Sequence, residues 1–426
     1  MVEFGYGFGN TSNEKHDMVA AIDIGTSKVC TIISAIDKDG KMSVLGNGID
    51  YCNGMKKGMI VDIESVTNSI MASIEKAETA SNTKVSSAYV NITGAHVDIV
   101  ANRGVAPVKS ETREITVADV QKVLSVAREI ELPPDKQVID INPKQYIVDE
   151  YDGIIDPVGM VGFRLEVDAD VVLGRTASVR NIMRSMEKAN IKVDGIIVEP
   201  IATAEVALTA EEKEMGVILV DVGGNITNMS VFENGEMVFC GCVPIGGDNI
   251  TNDIALGLKV SNSDAEKLKR EYELALTSLI KNDYEIVINE VNCNTKKTVR
   301  VSQIVEIIEA RISEIFSYGK GLLEKSGIMK NYSAGVVLTG GGISYVDGGM
   351  QLSNSVFEMS TRVASYKGMG IIKPEYATVT GMIKYIANQR KVYGNIGSNV
   401  VLKKAGGFKN GGLILQKLKK MVSDFF

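Results

Sequence analysis

Asp23 is followed by a glycine, two hydroxyl residues and a lysine in the stretch Asp23-Ile24-Gly25-Thr26-Ser27-Lys28. Asp221 opens a similar stretch, Asp221-Val222-Gly223-Gly224-Asn225-Ile226-Thr227-Asn228. Glycine in such a turn leaves backbone N–H groups open to a close ligand. Thr26, Ser27 and Thr227 add hydroxyl donors, and Lys28 adds positive charge. Together these groups make a cradle for phosphate oxygens. The aspartate ahead of each turn can hold a hydrated Mg²⁺ between two lobes, because that ion keeps most of its waters and takes few carboxylates. Either stretch alone also reads as an ordinary glycine-containing β-turn. The presence of both weighs against that simpler reading.

A third turn follows an apolar run, with Gly340, Gly341 and Gly342 in a row. Consecutive glycines let a flat ligand or a phosphate approach the backbone. The spacing is neither GxGxxG nor GxxxxGK[ST]. Glu266 and Lys269 lie three apart in a helix that Ser263 or Asp264 can cap, so they share a face. A surface ion pair is the plain alternative for them. Glu199 precedes Pro200 at a strand-to-helix junction. Proline there is ordinary capping chemistry, while Glu199 could orient a water toward a phosphate.

The elements that must position these residues are short. Each aspartate sits between two apolar runs rich in Val and Ile, so each turn closes a hairpin of two strands. The pattern of residues 18–36 returns at 216–232, which predicts two related lobes rather than a solenoid. The length of 426 residues allows two to four structural units. The net charge of −7 argues against a broad nucleic-acid surface. Cys30, Cys52, Cys240, Cys242 and Cys293 form no CxxC pair, and His16 and His96 are the only histidines. A zinc site is not expected, and the compartment reads as reducing. The first 17 residues lack an apolar signal core and read as a disordered arm. No run of 18 or more apolar residues occurs, so no span of a membrane is expected.

The end of the chain has a different character. Six glycines in residues 391–412 mark a flexible linker. In the final segment, at about 100° per residue, Ile414, Leu418, Met421 and Phe425 line one face, flanked by Leu415 and Val422. Lys417, Lys419 and Lys420 lie on the other face. Such a helix could dock on the protein's own core, bind a partner or lie in a membrane interface. The linker, the terminal Phe425 and Phe426 and the lysines favour the interface, with anionic headgroups as ligands.

In this order, the first phosphate hairpin, the Glu-Pro junction, the second phosphate hairpin, the Ala-Glu-x-x-Lys helix and the triple-glycine turn resemble the actin and heat-shock chaperone ATPase superfamily. Residues 86–98, 156–172, 244–258 and 373–386 are more specific, and with the tail they resemble the FtsA family of bacterial cell-division proteins. The resemblance implies an α/β, actin-like two-lobed ATPase fold with an inserted small α+β (SHS2-type) subdomain and a C-terminal amphipathic helix. It divides the chain into an arm (1–17), lobe 1 (18–85, 167–200 and a closing helix at 371–390) and the insert (86–166). Lobe 2 has a core (201–247 and 304–370) and an outer subdomain (248–303), followed by the linker (391–412) and the tail helix (413–426). Within the insert, alternating strands precede a helical stretch at 116–131 with Val120, Val123, Leu124 and Ala127 on one face.

The resemblance further implies ATP and Mg²⁺ in a cleft between the lobes. Gly25, Thr26, Ser27 and Lys28 fall in its first phosphate motif, and Asp221, Gly223, Gly224 and Asn225 in its second. Glu266 and Lys269 would hold the ribose or adenine, Gly340, Gly341 and Gly342 would pass along the adenosine, and Glu199 would position water. The implied partners are an FtsZ-like tubulin homologue, further copies in a head-to-tail filament, other division proteins through the insert, and anionic lipids. The implied location is the cytoplasmic face of the membrane at the division site. The family's second motif, D-x-G-G-G-T-T-D, is changed at Asn225, Ile226 and Asn228. Asn225 tolerates a positive φ, but the lost hydroxyl and carboxylate weaken phosphate and metal contacts. Binding with weak or absent hydrolysis is the expectation. A sugar-kinase-like phosphotransferase and a scaffold of another envelope assembly, such as a pilus platform, are the competing readings.

Overall fold

The strand Asp17–Ile24 pairs antiparallel with Lys28–Ile36, from Asp17 opposite Ile36 to Ile24 opposite Val29. Val, Ile and Ala occupy both faces of both strands, and nearly every residue is buried. Strands of that composition belong inside a sheet covered on both sides. They form the centre of a five-stranded sheet in the order Lys192–Val198, Ser87–Ile92, Asp17–Ile24, Lys28–Ile36, Met42–Tyr51. The first two strands run parallel to Asp17–Ile24. The helix Ile63–Ser81 packs Val66, Ile70 and Ile74 with Ile22 and Ile24. The helix Ala377–Tyr393 packs Val379, Met382 and Ile383 with Ala21 and Ile32 on the opposite face, together with Ala202.

The same build recurs in Glu236–Val243, Thr227–Glu233, Val217–Val222, Val336–Thr339 and Thr361–Val363. Again three antiparallel strands are followed by two parallel ones. The likeness read in two short stretches is therefore a repeat of a whole sheet. The long helix Val301–Lys325 supplies Ile304, Val305, Ile308, Ile312, Ile315 and Phe316 to this second core. The helix Glu199–Ala207 lies between the two halves. Its Ala204, Val206 and Ala207 join a cluster that contains Ile22 and Val90 from one sheet and Val217 and Leu219 from the other.

A third unit is a four-stranded antiparallel sheet in the order Val97–Pro107, Arg164–Arg175, Lys136–Val148, Tyr151–Ile154. Its helix Val117–Ala127 buries Val120, Val123, Leu124 and Ala127, the four residues its periodicity selects. Asp119 Oδ2 accepts from the N–H and the hydroxyl of Thr116, closing the first turn. This unit has its own apolar core.

The structure, a computed structural model, describes residues 17–37, 40–291, 296–366 and 373–393. The arm before Asp17, Cys293, the linker beyond Tyr393 and the tail residues Ile414, Leu415, Lys417, Leu418, Lys419, Lys420, Met421, Val422, Phe425 and Phe426 lie outside the described residues. No described helix is long and apolar enough to cross a membrane. Three features differ from the sequence expectation. The strand Arg164–Arg175 lies wholly in the insert's sheet, although a boundary at 166 gives residues 167–175 to lobe 1. Ser87–Ile92, which a boundary at 86 assigns to the insert, is a parallel strand of the first sheet. An edge strand and a central strand carry the same short apolar pattern, so only pairing separates them. The helix Asn262–Glu271 is capped by Ser261, whose hydroxyl accepts from the Asp264 N–H, rather than by Ser263 or Asp264.

Candidate functional site

Both hairpin turns close in one way. The N–H of Gly25 donates to the carbonyl of Lys28, and the N–H of Gly223 donates to the carbonyl of Ile226, each at 2.9 Å. Neither turn uses a left-handed residue, so Asn225 sits there without a positive φ. The glycines serve close approach instead. A Cβ on Gly224 would lie 1.7 Å from Ser27 Oγ, because the two turns meet face to face. The Asn225 N–H donates to Thr26 Oγ1 at 3.1 Å across that contact.

The triple-glycine turn completes the cradle. Gly340 has φ of 92°, and a Cβ there would lie 2.3 Å from Asp221 Oδ1, so both conformation and space demand glycine. The N–H of Gly342 donates to the Val222 carbonyl at 2.9 Å, tying this turn to the second hairpin. Gly341 is less constrained, since a Cβ would approach nothing closer than 3.7 Å. One of those neighbours is Lys28 Nζ. The Lys28 ammonium thus reaches across the cleft from the first turn to the third.

Behind the turns lie three carboxylates. Asp23 is buried at the end of its strand, where its Oδ1 accepts from Asn91 Nδ2 at 2.7 Å, and Asn91 Oδ1 in turn accepts from the Ile24 N–H. Burial pushes Asp23 up to about 7, Lys28 pulls it down, and Asp221 adds to the rise. Burial likewise raises Asp221 to about 6 against the pull of Lys28 and a long hydrogen bond from Thr203. Glu199 opens the helix after Val198. Burial, then Asp23 and Asp221, hold its carboxyl well above the usual range, against a downward pull from the polar groups of Thr93 and Asn228. Asn228 faces Asp221 across the hairpin, and its Oδ1 accepts from the Thr93 hydroxyl at 3.2 Å.

Three carboxylates facing one ammonium leave the cleft short of positive charge. Among the described residues, no group of three or more His, Cys, Asp or Glu side chains is close enough to cage a metal ion. That donor set suits an ion that keeps its own waters, as Mg²⁺ does, rather than one stripped by protein ligands.

Glu266 and Lys269 stand one helix away from the turns. Lys269 Nζ donates to Thr251 Oγ1 at 2.7 Å and to the Gly247 carbonyl at 3.2 Å, and pairs with Glu266 Oε2 at 2.6 Å. The pair is therefore part-buried against the helix Gly247–Leu258, which begins beside the second hairpin. It is more than a surface ion pair.

Asn91, Thr93, Thr203 and Asp248 escape the motif reading. Asn91 leaves one signal, a polar residue at the buried end of an apolar strand. Asp248 leaves another, an acid directly after Gly246 and Gly247 at the start of a helix.

The profile of the family described as "Cell division protein FtsA" matches residues 218–381, and that described as "SHS2 domain inserted in FTSA" matches residues 94–173. The chain is 34% identical over 379 residues to "Cell division protein FtsA" of Bacillus subtilis (strain 168), covering 89% of this chain and 86% of that protein. It is 32% identical over 410 residues to the protein of the same name from Borreliella burgdorferi, covering 95% and 97%. Among solved structures, MreB5 of Spiroplasma citri bound to ADP superposes with a TM-score of 0.54 at 12% identity, covering 89% of this chain and 98% of that one. A PilM-PilN type IV pilus biogenesis complex gives 0.55 at 15%, covering 90% and 98%. At such identities the likeness speaks for the fold alone, which is the actin-like one with an SHS2 insertion.

Proposed function

This chain belongs to the FtsA family of cell division proteins, and from that premise we propose that it is an ATP-binding scaffold of the division machinery. The observation that carries the nucleotide part is the meeting of three glycine-rich turns over Asp23, Asp221 and Glu199, with Lys28 crossing between them. Ser27, Lys28 and the turn amides would hold phosphate oxygens, with Gly340, Gly341 and Gly342 along the adenosine. Glu266 and Lys269 would contact the ribose or adenine. Asp23 and Asp221 would hold Mg²⁺ through its waters. The ion would supply the positive charge that Lys28 alone does not. AMPPNP bound by MreB 5 of Spiroplasma citri, a neighbour with the same fold, is in keeping with this reading.

Turnover should be slow. A general base must be ionised to take a proton from water. Burial and two neighbouring carboxylates favour the neutral form of Glu199. Asn228 offers an amide where the family motif has an acid. A steady rate on the order of 1 per second, ordinary for an enzyme, would overturn this.

The polymer, its membrane and its tubulin-like partner follow from the family and from the tail sequence. ATP would favour head-to-tail contacts, which are heterologous and so make filaments. The tails would hold the filament on the cytoplasmic face of the membrane by the apolar row of Ile414, Leu418, Met421 and Phe425 and the lysines beside it. Many weak tails on one polymer bind with avidity. An FtsZ-like tubulin homologue would dock on the lobe away from the membrane, and other division proteins on the insert.

The pilus-platform and sugar-kinase readings rest on fold alone, and relatives at a third identity over most of the chain favour division. Co-sedimentation with anionic liposomes and Mg-ATP tests the scaffold reading. The full chain should pellet with lipid, and a chain ending at Gly412 should stay in solution. Equal behaviour of the two would remove the tail as the membrane hook.

A further inference from the structure

Asp248 is the second residue of the helix Gly247–Leu258 and lies outside the phosphate-binding residues assigned above. Its N–H donates to the Gly224 carbonyl at 2.8 Å, which fixes the helix start against the second hairpin. Its Oδ2 accepts from the Ser27 hydroxyl at 2.7 Å and from Asn225 Nδ2 at 2.6 Å. One carboxylate oxygen is thus held by one donor from each hairpin. The Asn225 N–H is likewise spent on Thr26 Oγ1. Donors that would serve a phosphate are turned onto the protein's own oxygens. A carboxylate and a phosphate compete for such donors because both are anionic acceptors of similar hydrogen-bond length.

Resting on the nucleotide reading above, we propose that Asp248 is an internal competitor for the nucleotide's phosphate. Its carboxylate latches the two hairpins together and must be displaced when a phosphate oxygen takes the Ser27 and Asn225 donors. Binding is weakened by the contacts surrendered, and release is assisted because the latch re-forms behind the departing anion. Asp248 would then set how long nucleotide stays, apart from any effect on chemistry.

The test is binding of a fluorescent ATP analogue with Mg²⁺ to the full chain and to Asp248→Asn and Asp248→Ala, each checked for folding by circular dichroism. Both variants should bind about three- to tenfold tighter, the range for losing an exposed charge-assisted contact, mostly through slower release. Their melting temperature without nucleotide should fall, and the rise on adding nucleotide should exceed that of the parent. Unchanged or weaker binding, with melting lowered equally in both conditions, would make Asp248 a plain structural brace and end the proposal. If parent and variants all fail to bind, the nucleotide reading itself falls; if all bind alike, only the latch does. Hydrogen exchange on the unsubstituted chain gives a measurement free of variants. The Asp248 amide, which donates to the Gly224 carbonyl, should be protected before nucleotide is added, and rapid exchange there would overturn the latch.

Discussion

The first hairpin turn carries Thr26, Ser27 and Lys28, while the second carries Gly224, Asn225 and Ile226 on the same hydrogen-bonded frame. One turn therefore brings hydroxyls and a full positive charge. The other brings a bare backbone, into which Ser27 fits, and a neutral amide. The strands behind them differ as well. Asp23 faces Cys30 across its hairpin, and Asp221 faces Asn228 across the other. A repeated sheet has kept its backbone and given charge to one copy and space to the other. The lesson is that neither turn is a half-site in its own right. Each is the complement of its partner.

The strongest way to break that complement is to fill the space. Gly224→Ala would put a methyl group 1.7 Å from Ser27 Oγ and 2.9 Å from its Cβ, so Ser27 must turn away and the contact of the two turns must shift. Nucleotide binding should fall by about a hundredfold or more, since a misplacement of 1 Å at a site is that costly. Gly321→Ala, in the helix Val301–Lys325 where a Cβ would meet nothing within 4 Å, should bind within about twofold of the parent. Equal losses in a titration of both would show that the spaces are not specific.

Removing the charge comes next. Lys28 lowers both Asp23 and Asp221. Lys28→Ala should weaken Mg-ATP about tenfold or more, as loss of a charge-assisted contact does, and should move the pH at which binding fails upward. A pH profile that keeps its midpoint would count against the charge assignment.

A third effect is on stability. Asp23 titrates near 3.8 in the unfolded chain and at about 7 in the fold. The folded protein thus holds this proton more tightly. Its contribution to stability is complete below about pH 4 and is lost as the pH rises to about 7. Asp23→Asn should melt at the parent's temperature near pH 4 and higher than the parent at pH 8, where its stability exceeds the parent's by an amount on the order of 4 kcal/mol. Calorimetry without nucleotide at the two pH values reads this directly.

The smallest effect should come from Asn228→Asp, which adds a fourth acid beside Asp221 and Glu199. It should lower the Mg²⁺ concentration needed for half-maximal ATP binding by about two- to fivefold, the scale of one screened charge. An unchanged or higher requirement would mean that the missing carboxylate does not weaken the metal contacts.

Much of this was legible in the chain. Alternation of Val and Ile around each Asp-x-Gly gave both hairpins, and apolar spacing gave the buried face of Val117–Ala127. Those are local signals. Contacts between distant parts of the chain were not legible. Asn91 reaches Asp23, and Asp248 reaches Ser27, across separations that no periodicity spans. Ser261 escaped because its neighbours Ser263 and Asp264 are equally good caps, and only the path of the chain chooses among them.

The helix Ala377–Tyr393 crosses the helix Glu199–Ala207 so closely that a Cβ on Gly381 would lie 1.8 Å from the Ala202 carbonyl. The rest of the chain, residues 394–426, continues from that helix. The element that leads to the end of the chain is thus seated directly on the helix that Glu199 opens, three residues from Ala202.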